Sequence, residues 1–312
     1  MTTQRPNRLR RSELSTPGHS AKMIAKAAQS AADLVFLDLE DAVAPNAKTA
    51  ARATIIEGLT TLDWGGKTRA FRINAVSTSW CHDDLIEVIT GAGAQVDVVI
   101  VPKVKSARDV WFVDDLLTQL ESKLGLEPGR IGLEVLIEET EALARVEEIA
   151  ASSPRLEALI LGVGDLSASQ GIRVGHIGSG GNGSSAMAYP GDIWHYARNR
   201  MIVAARANGL DAIDGPFADI KAPDAYRREA SWAATLGAVG KWAIHPSQID
   251  IANEVYAPTA DEIAQATDVV NAVRDAEAQG LGAASYQGMM VDAATARVFH
   301  GVLDRARRCG IH

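Results

Sequence analysis

Residues 34–45 read LVFLDLEDAVAP, an apolar run that passes directly into the acidic residues Glu40 and Asp41. A short run rich in Val, Leu and Phe is typical of a strand that is buried on both faces. Similar short runs recur along the chain, so the sequence predicts a set of buried strands separated by longer segments. The expected strands lie at residues 13–16, 34–39, 69–73, 96–101, 131–137, 156–161, 210–213 and 239–244.

Ala-rich amphipathic segments separate these runs and predict helices. Asn208-Gly209 follows one segment and Pro223 opens another, as expected at the end and the start of a helix. Repeated strand–helix units over about 250 residues indicate a (β/α)8 TIM barrel, and the alternative is a doubly wound parallel sheet. The expected helices lie at residues 21–31, 48–61, 82–91, 107–124, 141–151, 193–208 and 223–236.

The pattern changes after Pro258. Residues 259–279 and 289–308 each predict a helix, residues 280–288 predict a loop between them, and this tail has no expected strand. We therefore expect residues 1–258 to form the barrel with an N-terminal arm, and residues 259–312 to form a C-terminal helical extension. Such an extension must pack on the barrel or on a neighbouring subunit.

Composition excludes several classes of protein. The 312 residues include 31 Lys and Arg against 39 Asp and Glu, a net charge of −8 that argues against a nucleic-acid or membrane-surface partner. Two cysteines, Cys81 and Cys309, exclude a disulfide scaffold and fit a reducing compartment. No apolar run approaches the roughly 20 residues that span a bilayer. Residues 1–11 are basic without a following apolar region, so we expect a basic arm on a cytoplasmic protein.

One long stretch, residues 171–191, is rich in Gly and Ser and lacks periodicity, as is typical of a loop or lid. It contains a G-x-G-x-x-G match at Gly178, Gly180 and Gly183. No buried strand directly precedes this match and no apolar helix follows it, so it does not predict a dinucleotide site.

Charged and polar residues follow nearly every expected strand, and in a barrel those strand ends meet at the face that carries the active site. Carboxylates confined there would repel one another unless a cation balanced them. Mg²⁺ prefers a few carboxylates together with water and substrate oxygens. We favour Glu138 and Asp165 as its ligands, with helix capping and salt bridges as the alternative role. The charged residues that we expect at these strand ends are Glu40, Asp41, Arg72, Lys103, Glu138, Asp165, Asp214 and His245.

Arg72 ends the third expected strand, in the sequence Arg-Ile-Asn. A guanidinium at that point can clamp a carboxylate or an enolate oxygen with two parallel hydrogen bonds. The alternative is a structural ion pair with Glu40 or Asp41.

Several strings in the sequence resemble the HpcH/HpaI aldolase and citrate lyase β-subunit superfamily, and within it the malyl-CoA/β-methylmalyl-CoA lyases. The resemblance extends from about residue 11 to residue 297, and the first and last strings are the most specific. The strings are LDLEDAVAP (37–45), RIN (72–74), VPK (101–103), GD followed by SAS (164–169), DGPF (214–217) and GKWAIHP (240–246).

The resemblance implies a TIM barrel with a swapped C-terminal piece, assembled as a homotrimer or homohexamer. It also implies a metal-dependent lyase that reversibly cleaves a 3-hydroxyacyl-CoA of the malyl-CoA, β-methylmalyl-CoA or citramalyl-CoA type. The products would be an acyl-CoA and a 2-oxo acid such as glyoxylate, and the metal would be Mg²⁺ or Mn²⁺.

Site residues follow from the same resemblance. Glu138 and Asp165 match the metal ligands, although Glu139 directly follows Glu138 and is the alternative ligand. Arg72 matches the arginine that steadies the enolate and the oxo acid. Asp292 matches an acid/base that reaches into a neighbouring subunit's site. The remaining matches are Lys26, Gly164, Asp165, Ile244 and His245 for substrate or CoA, and Glu40 and Asp41 as supporting groups beside the metal.

These assignments predict a Claisen-type reaction, in which Asp292 removes a proton from the acyl group in the condensation direction. Arg72 and the metal would stabilise the enolate oxygen as charge develops. Three alternatives stay open: a malyl-CoA thioesterase, a CoA-independent 2-oxo-acid aldolase, and a citrate lyase β-type component of a larger complex.

Overall fold

The computed structural model describes residues 6–173, 177 and 192–311. Eight parallel strands form a closed barrel in which each strand pairs with its neighbours in sequence, and β8 pairs with β1. This closed order confirms the predicted TIM barrel and excludes the doubly wound sheet. The strands are β1 (Ser12–Pro17), β2 (Leu34–Asp38), β3 (Thr68–Arg72), β4 (Val98–Val101), β5 (Gly132–Ile137), β6 (Leu156–Leu161), β7 (Asp211–Asp214) and β8 (Gly240–Ala243).

Helices connect the strands, and two short 3₁₀ turns lie at Pro45–Ala47 and Pro246–Gln248. The G-x-G-x-x-G match lies outside the described residues. The helices are α1 (Ala21–Ala28), α2 (Lys48–Thr61), α3 (Cys81–Ala92), α4 (Ala107–Lys123), α5 (Thr140–Ala144), α6 (Val146–Ala150), α7 (Val163–Gln170), α8 (His195–Ala207), α9 (Pro223–Leu236) and α10 (Ile249–Val255).

The barrel interior is filled by one apolar cluster that takes alternate residues from its strands. Because side chains of a strand alternate between its two faces, the next inward positions after this cluster are fixed. Asp38 lies two residues beyond Phe36, Arg72 two beyond Ala70, and Glu138 two beyond Leu136. The apolar cluster therefore gives way to charged groups at the carboxyl end of the barrel. Its members are Leu34, Phe36, Ala70, Val98, Ile100, Leu136, Ala158, Ile160, Ile213 and Trp242.

The N-terminal arm closes the opposite end of the barrel. The buried guanidinium of Arg10 donates to Glu134 at 2.7 Å and to Asp211 at 3.2 Å. Arg10 also contacts Glu157, and Arg11 pairs with Asp33 at 2.8 Å. The basic residues of the arm thus neutralise acidic groups near the amino ends of the strands.

The chain divides into two compact units, residues 1–253 and 254–312. The second unit contains α11 (Ala260–Ala278), β9 (Ala283–Tyr286), β10 (Met289–Asp292) and α12 (Ala293–Arg308), and β9 pairs antiparallel with β10. The sequence-based expectation of a strandless tail was wrong at this point. Gln287 and Gly288 both have positive φ, 48° and 81°, which suits a two-residue hairpin turn. Within the described part of the chain, no helix is long and apolar enough to cross a membrane.

Candidate functional site

The turn after β2 brings Glu40 to the carboxyl end of the barrel. The buried Asp38 carboxylate accepts hydrogen bonds from the backbone N–H groups of Glu40 (2.8 Å) and Ala42 (3.1 Å). From the other side, Lys48 Nζ donates to the carbonyl oxygens of Leu39 (2.7 Å) and Glu40 (2.8 Å). The turn is therefore held on both sides before any ligand binds.

Arg72, the last residue of β3, is held beside this turn by two acidic residues. Its Nε and Nη2 donate to Asp38 at 2.7 and 2.6 Å, and its Nη1 lies 2.8 Å from Glu40 Oε2 without hydrogen-bond geometry. The guanidinium also lies over the Trp242 ring at 5.4 Å. Burial opposes ionisation of Asp38, but Arg72 outweighs that effect and lowers the pKa of Asp38. The ion pair with Glu40 matches the alternative drawn from sequence, whereas Asp41 is not the partner of Arg72.

Sequence reasoning missed Asp38 as the main partner of Arg72. The signal was available, because Asp38 is two residues before Glu40 and directly opposite Arg72 in the β2–β3 register. Strand alternation places both side chains on the inner face.

Glu138 is buried beneath this turn, with 2% of its surface exposed. Its Oε1 accepts a hydrogen bond from the Lys103 backbone N–H at 2.6 Å. Burial is the main cause that raises the pKa of Glu138 to about 8, and repulsion from Glu40 and Asp165 raises it too. The positive charge of Arg72 acts in the opposite direction but is outweighed. An ionised Glu138 therefore needs further positive charge nearby.

Asp165 lies in the first turn of α7, directly after Gly164, and its side chain is 40% exposed. Its Oδ1 is 3.8 Å from Lys103 Nζ. Lys103 thus contacts both carboxylates, Glu138 through its backbone N–H and Asp165 through its ammonium group. Glu139 points elsewhere: it accepts from Ser169 Oγ at 3.1 Å and lies 3.9 Å from Lys105 Nζ.

A divalent cation fits this donor set. In the described ranges, no group of three or more His, Cys, Asp or Glu side chains could hold a metal ion. The chain would offer two carboxylates, Glu138 and Asp165, and leave other positions to water and substrate oxygens, which is the pattern that Mg²⁺ prefers. The buried Glu40 Oε2, which accepts no hydrogen bond, is a further acceptor beside them.

Asp214 does not belong to this cluster, contrary to the sequence-based expectation. It follows the inward Ile213 and so faces the helices, where it accepts from Arg198 at 2.9 Å and from Lys241 at 2.6 Å. These two cations lower the pKa of Asp214 despite its burial. Asp214 is therefore a structural ion pair.

The residues matched to coenzyme A lie on the surface of the first unit. Lys26 is exposed on α1, and Ile244 and His245 are exposed after β8. His245 Nδ1 lies 2.8 Å from Ser247 Oγ and also accepts from the Ser247 backbone N–H. This local pairing makes His245 the cap of the 3₁₀ turn, and its contact with coenzyme A stays a prediction.

Asp292 belongs to the second unit, where it caps α12. Its Oδ1 accepts hydrogen bonds from the Thr295 backbone N–H (2.9 Å) and hydroxyl (3.0 Å). These bonds lower the pKa of Asp292 and so favour its ionised form. Its place in a neighbouring subunit's site stays a prediction.

Comparison with known proteins shows which family the sequence resembles. The sequence pattern of the HpcH/HpaI aldolase/citrate lyase family matches residues 11–246, and that of carbon–carbon bond lyases of the TIM-barrel fold matches residues 184–311. The L-malyl-CoA/β-methylmalyl-CoA lyase of Rhodobacter capsulatus is 43% identical over 94% of this chain and 93% of its own. The malyl-CoA/β-methylmalyl-CoA/citramalyl-CoA lyase of Chloroflexus aurantiacus is 34% identical over 93% of this chain and 86% of its own.

A solved structure shows the same fold. The protein CitE from Mycobacterium tuberculosis, in complex with magnesium, acetoacetate and coenzyme A, is 30% identical with a TM-score of 0.75. The similarity covers 98% of this chain and all of the other.

Proposed function

The chain belongs to the HpcH/HpaI aldolase/citrate lyase family of carbon–carbon lyases, and we propose that it reversibly cleaves a 3-hydroxyacyl-CoA with the aid of a divalent metal ion. The products are an acyl-CoA and a small 2-oxo acid such as glyoxylate. The observation that carries the proposal is the grouping of Arg72, Glu138 and Asp165 at the carboxyl end of the barrel, with both carboxylates beside Lys103. The malyl-CoA lyases among its relatives support the choice of substrate.

Glu138 and Asp165 would hold the metal ion, Mg²⁺ or Mn²⁺. When bound, the ion would polarise the carbonyl group of the oxo acid and balance charge in the reaction. Its charge would also favour the ionised form of Glu138, which the protein alone disfavours.

Arg72 stabilises the negative charge that develops on the thioester oxygen when the carbon–carbon bond breaks. Burial tends to lower the pKa of Arg72, but the charges of Asp38 and Glu40 have a larger effect in the opposite direction. The net result is a raised pKa, so the guanidinium stays charged. Asp38 and Glu40 also fix its orientation, so no energy is spent on arranging it during the reaction. A guanidinium has five N–H donors, and two bonds to Asp38 leave others for the substrate.

Asp292 moves the proton. In condensation its carboxylate takes a proton from the carbon next to the thioester, and that proton ends on the hydroxyl oxygen formed from the oxo acid. In cleavage the hydroxyl proton returns through Asp292 to the same carbon. We infer that it acts from a neighbouring copy of the chain, in a homotrimer or a dimer of trimers. Lys26, Ile244 and His245 would contact the coenzyme A part of the substrate.

A product assay tests the proposed function. The purified protein is incubated with Mg²⁺, glyoxylate and a panel of acyl-CoAs, and the products are identified by mass spectrometry. We expect a 3-hydroxyacyl-CoA that does not form with Glu138→Gln. Free malate and CoA without a persisting malyl-CoA would indicate a thioesterase, and turnover of pyruvate with an aldehyde would indicate a CoA-independent aldolase. Activity only after addition of partner subunits would indicate a citrate lyase component.

A further inference from the structure

Lys103 contacts four acidic residues at the carboxyl end of the barrel. Its ammonium group pairs with Glu40, lies 3.2 Å from Asp41 Oδ2 and lies 3.8 Å from Asp165 Oδ1. Its backbone N–H donates to Glu138 at 2.6 Å. One residue thus joins four carboxylates that come from three different strand ends.

The backbone of Lys103 is strained. Its φ is +50°, in the left-handed region, which is unfavourable for residues other than glycine. Among the residues described, the only other non-glycine residue with positive φ is Gln287 in the hairpin turn. This conformation directs the N–H of Lys103 toward Glu138 while its side chain reaches Glu40, so the contacts with the carboxylates hold the strained backbone in place.

The charges of the site explain why an ammonium lies there. Glu40, Asp41 and Asp165 gather beside Glu138, whereas the guanidinium of Arg72 is already shared with Asp38. The ammonium group of Lys103 supplies positive charge beside these carboxylates.

We propose that Lys103 is the internal counter-ion of the carboxylate site: its ammonium group holds the carboxylates together in the metal-free protein and opposes the binding of the divalent cation. Lys103 is on this account a positioning residue that sets the affinity for the metal. The inference rests on the proposed function in one respect, namely that the cation binds to Glu138 and Asp165.

The test compares Lys103→Met with Lys105→Met. Lys105 is a matched control, since it is two residues away and lies 3.3 Å from Glu141 Oε1, outside the site. Mn²⁺ affinity is measured by calorimetric titration, and the melting temperature is measured in EDTA. We expect Lys103→Met to bind Mn²⁺ about tenfold more tightly, because one repelling charge is removed. We also expect it to melt at a lower temperature without metal, and we expect neither change in Lys105→Met.

Unchanged or weaker Mn²⁺ binding by folded Lys103→Met would overturn the proposal. Lys103→Gln, which keeps a hydrogen-bond donor without the charge, replaces it if Lys103→Met does not fold, with the same expectation. If Glu138→Gln bound Mn²⁺ as tightly as the wild type, that result would instead contradict the proposed metal site. In that case the melting temperature in EDTA decides the counter-ion role: a lower value supports it, and an unchanged value overturns it.

Discussion

Glu138 has room for its buried side chain because residue 162 is a glycine. A Cβ atom at Gly162 would lie 2.5 Å from Glu138 Oε2, which is closer than atoms can approach. Gly162→Ala should therefore displace the carboxylate and weaken Mg²⁺ binding by about 10- to 100-fold, the range seen when groups that orient metal ligands are changed. The measurement is a calorimetric Mg²⁺ titration.

Gly66→Ala is the matched control for this substitution. A Cβ atom at Gly66 would have no neighbour within 4 Å, so the control should bind Mg²⁺ like the wild type. Equal affinity in Gly162→Ala and wild type would mean that Glu138 does not bind the metal, or that it adapts freely to the new methyl group.

The ionisation of Glu138 predicts a pH-dependent affinity for the metal. Its pKa is raised to about 8, so below that pH the metal-free site binds a proton that the cation must displace. Mg²⁺ affinity should therefore fall as the pH drops from 8.5 to 6.5, by up to about tenfold per unit. Titrations in buffers of different ionisation enthalpy would count the released proton. A flat profile, or one that Glu138→Gln leaves unchanged, would assign the proton to another group.

Strand alternation explains what the sequence predicted well. Every expected strand is found, and its bounds differ from expectation by no more than two residues, because buried parallel strands are marked by continuous apolar runs. The same alternation carries Arg72 and Glu138 to the inner face. The same alternation points Asp214 away from the site. Sequence reasoning missed this because it considered only which residues end each strand and not which face they occupy.

The elements that sequence reasoning missed have weak apolar patterns. Val163–Gln170, which carries Asp165 in its first turn, reads VGDLSASQ and offers too few apolar residues to show a period. The β9–β10 hairpin has short strands and a Gln-Gly turn, and its second strand precedes α12 without a break. Sequence reasoning placed Lys103 among the charged residues at the strand ends but did not predict its pairing with Glu40, because that pairing depends on a strained backbone rather than on spacing.

Asp292 combines a structural role in α12 with the proposed proton transfer, and two substitutions separate them. Asn keeps an oxygen for the Thr295 N–H and is as good a cap as Asp, whereas Ala removes the cap. Both Asp292→Asn and Asp292→Ala should lower kcat by about a hundredfold or more. Only Asp292→Ala should lower the melting temperature. Wild-type turnover by Asp292→Asn would remove Asp292 from the mechanism.

The proposed reaction divides its groups between the two units of the chain. Glu138, Asp165 and Arg72 belong to the first unit, and Asp292 belongs to the second. If each site takes Asp292 from a neighbouring copy, two inactive variants should restore each other. Glu138→Gln keeps a normal Asp292, and Asp292→Asn keeps a normal barrel.

A subunit-exchange experiment tests whether each site takes Asp292 from a neighbouring copy. The two variants are mixed in equal amounts, their subunits are exchanged under mild denaturation, and they are refolded together. A site is complete when an intact barrel meets an intact Asp292 from its neighbour, so about a quarter of wild-type activity should return in a randomly mixed symmetric oligomer. Each variant treated alone is the control and should stay inactive. If Asp292 served the site of its own chain, no mixed site would be complete, because every chain carries one defect. Mass spectrometry would show whether the oligomers are mixed. If mixed oligomers recovered no activity, Asp292 would act in its own chain's site or take no part in the reaction.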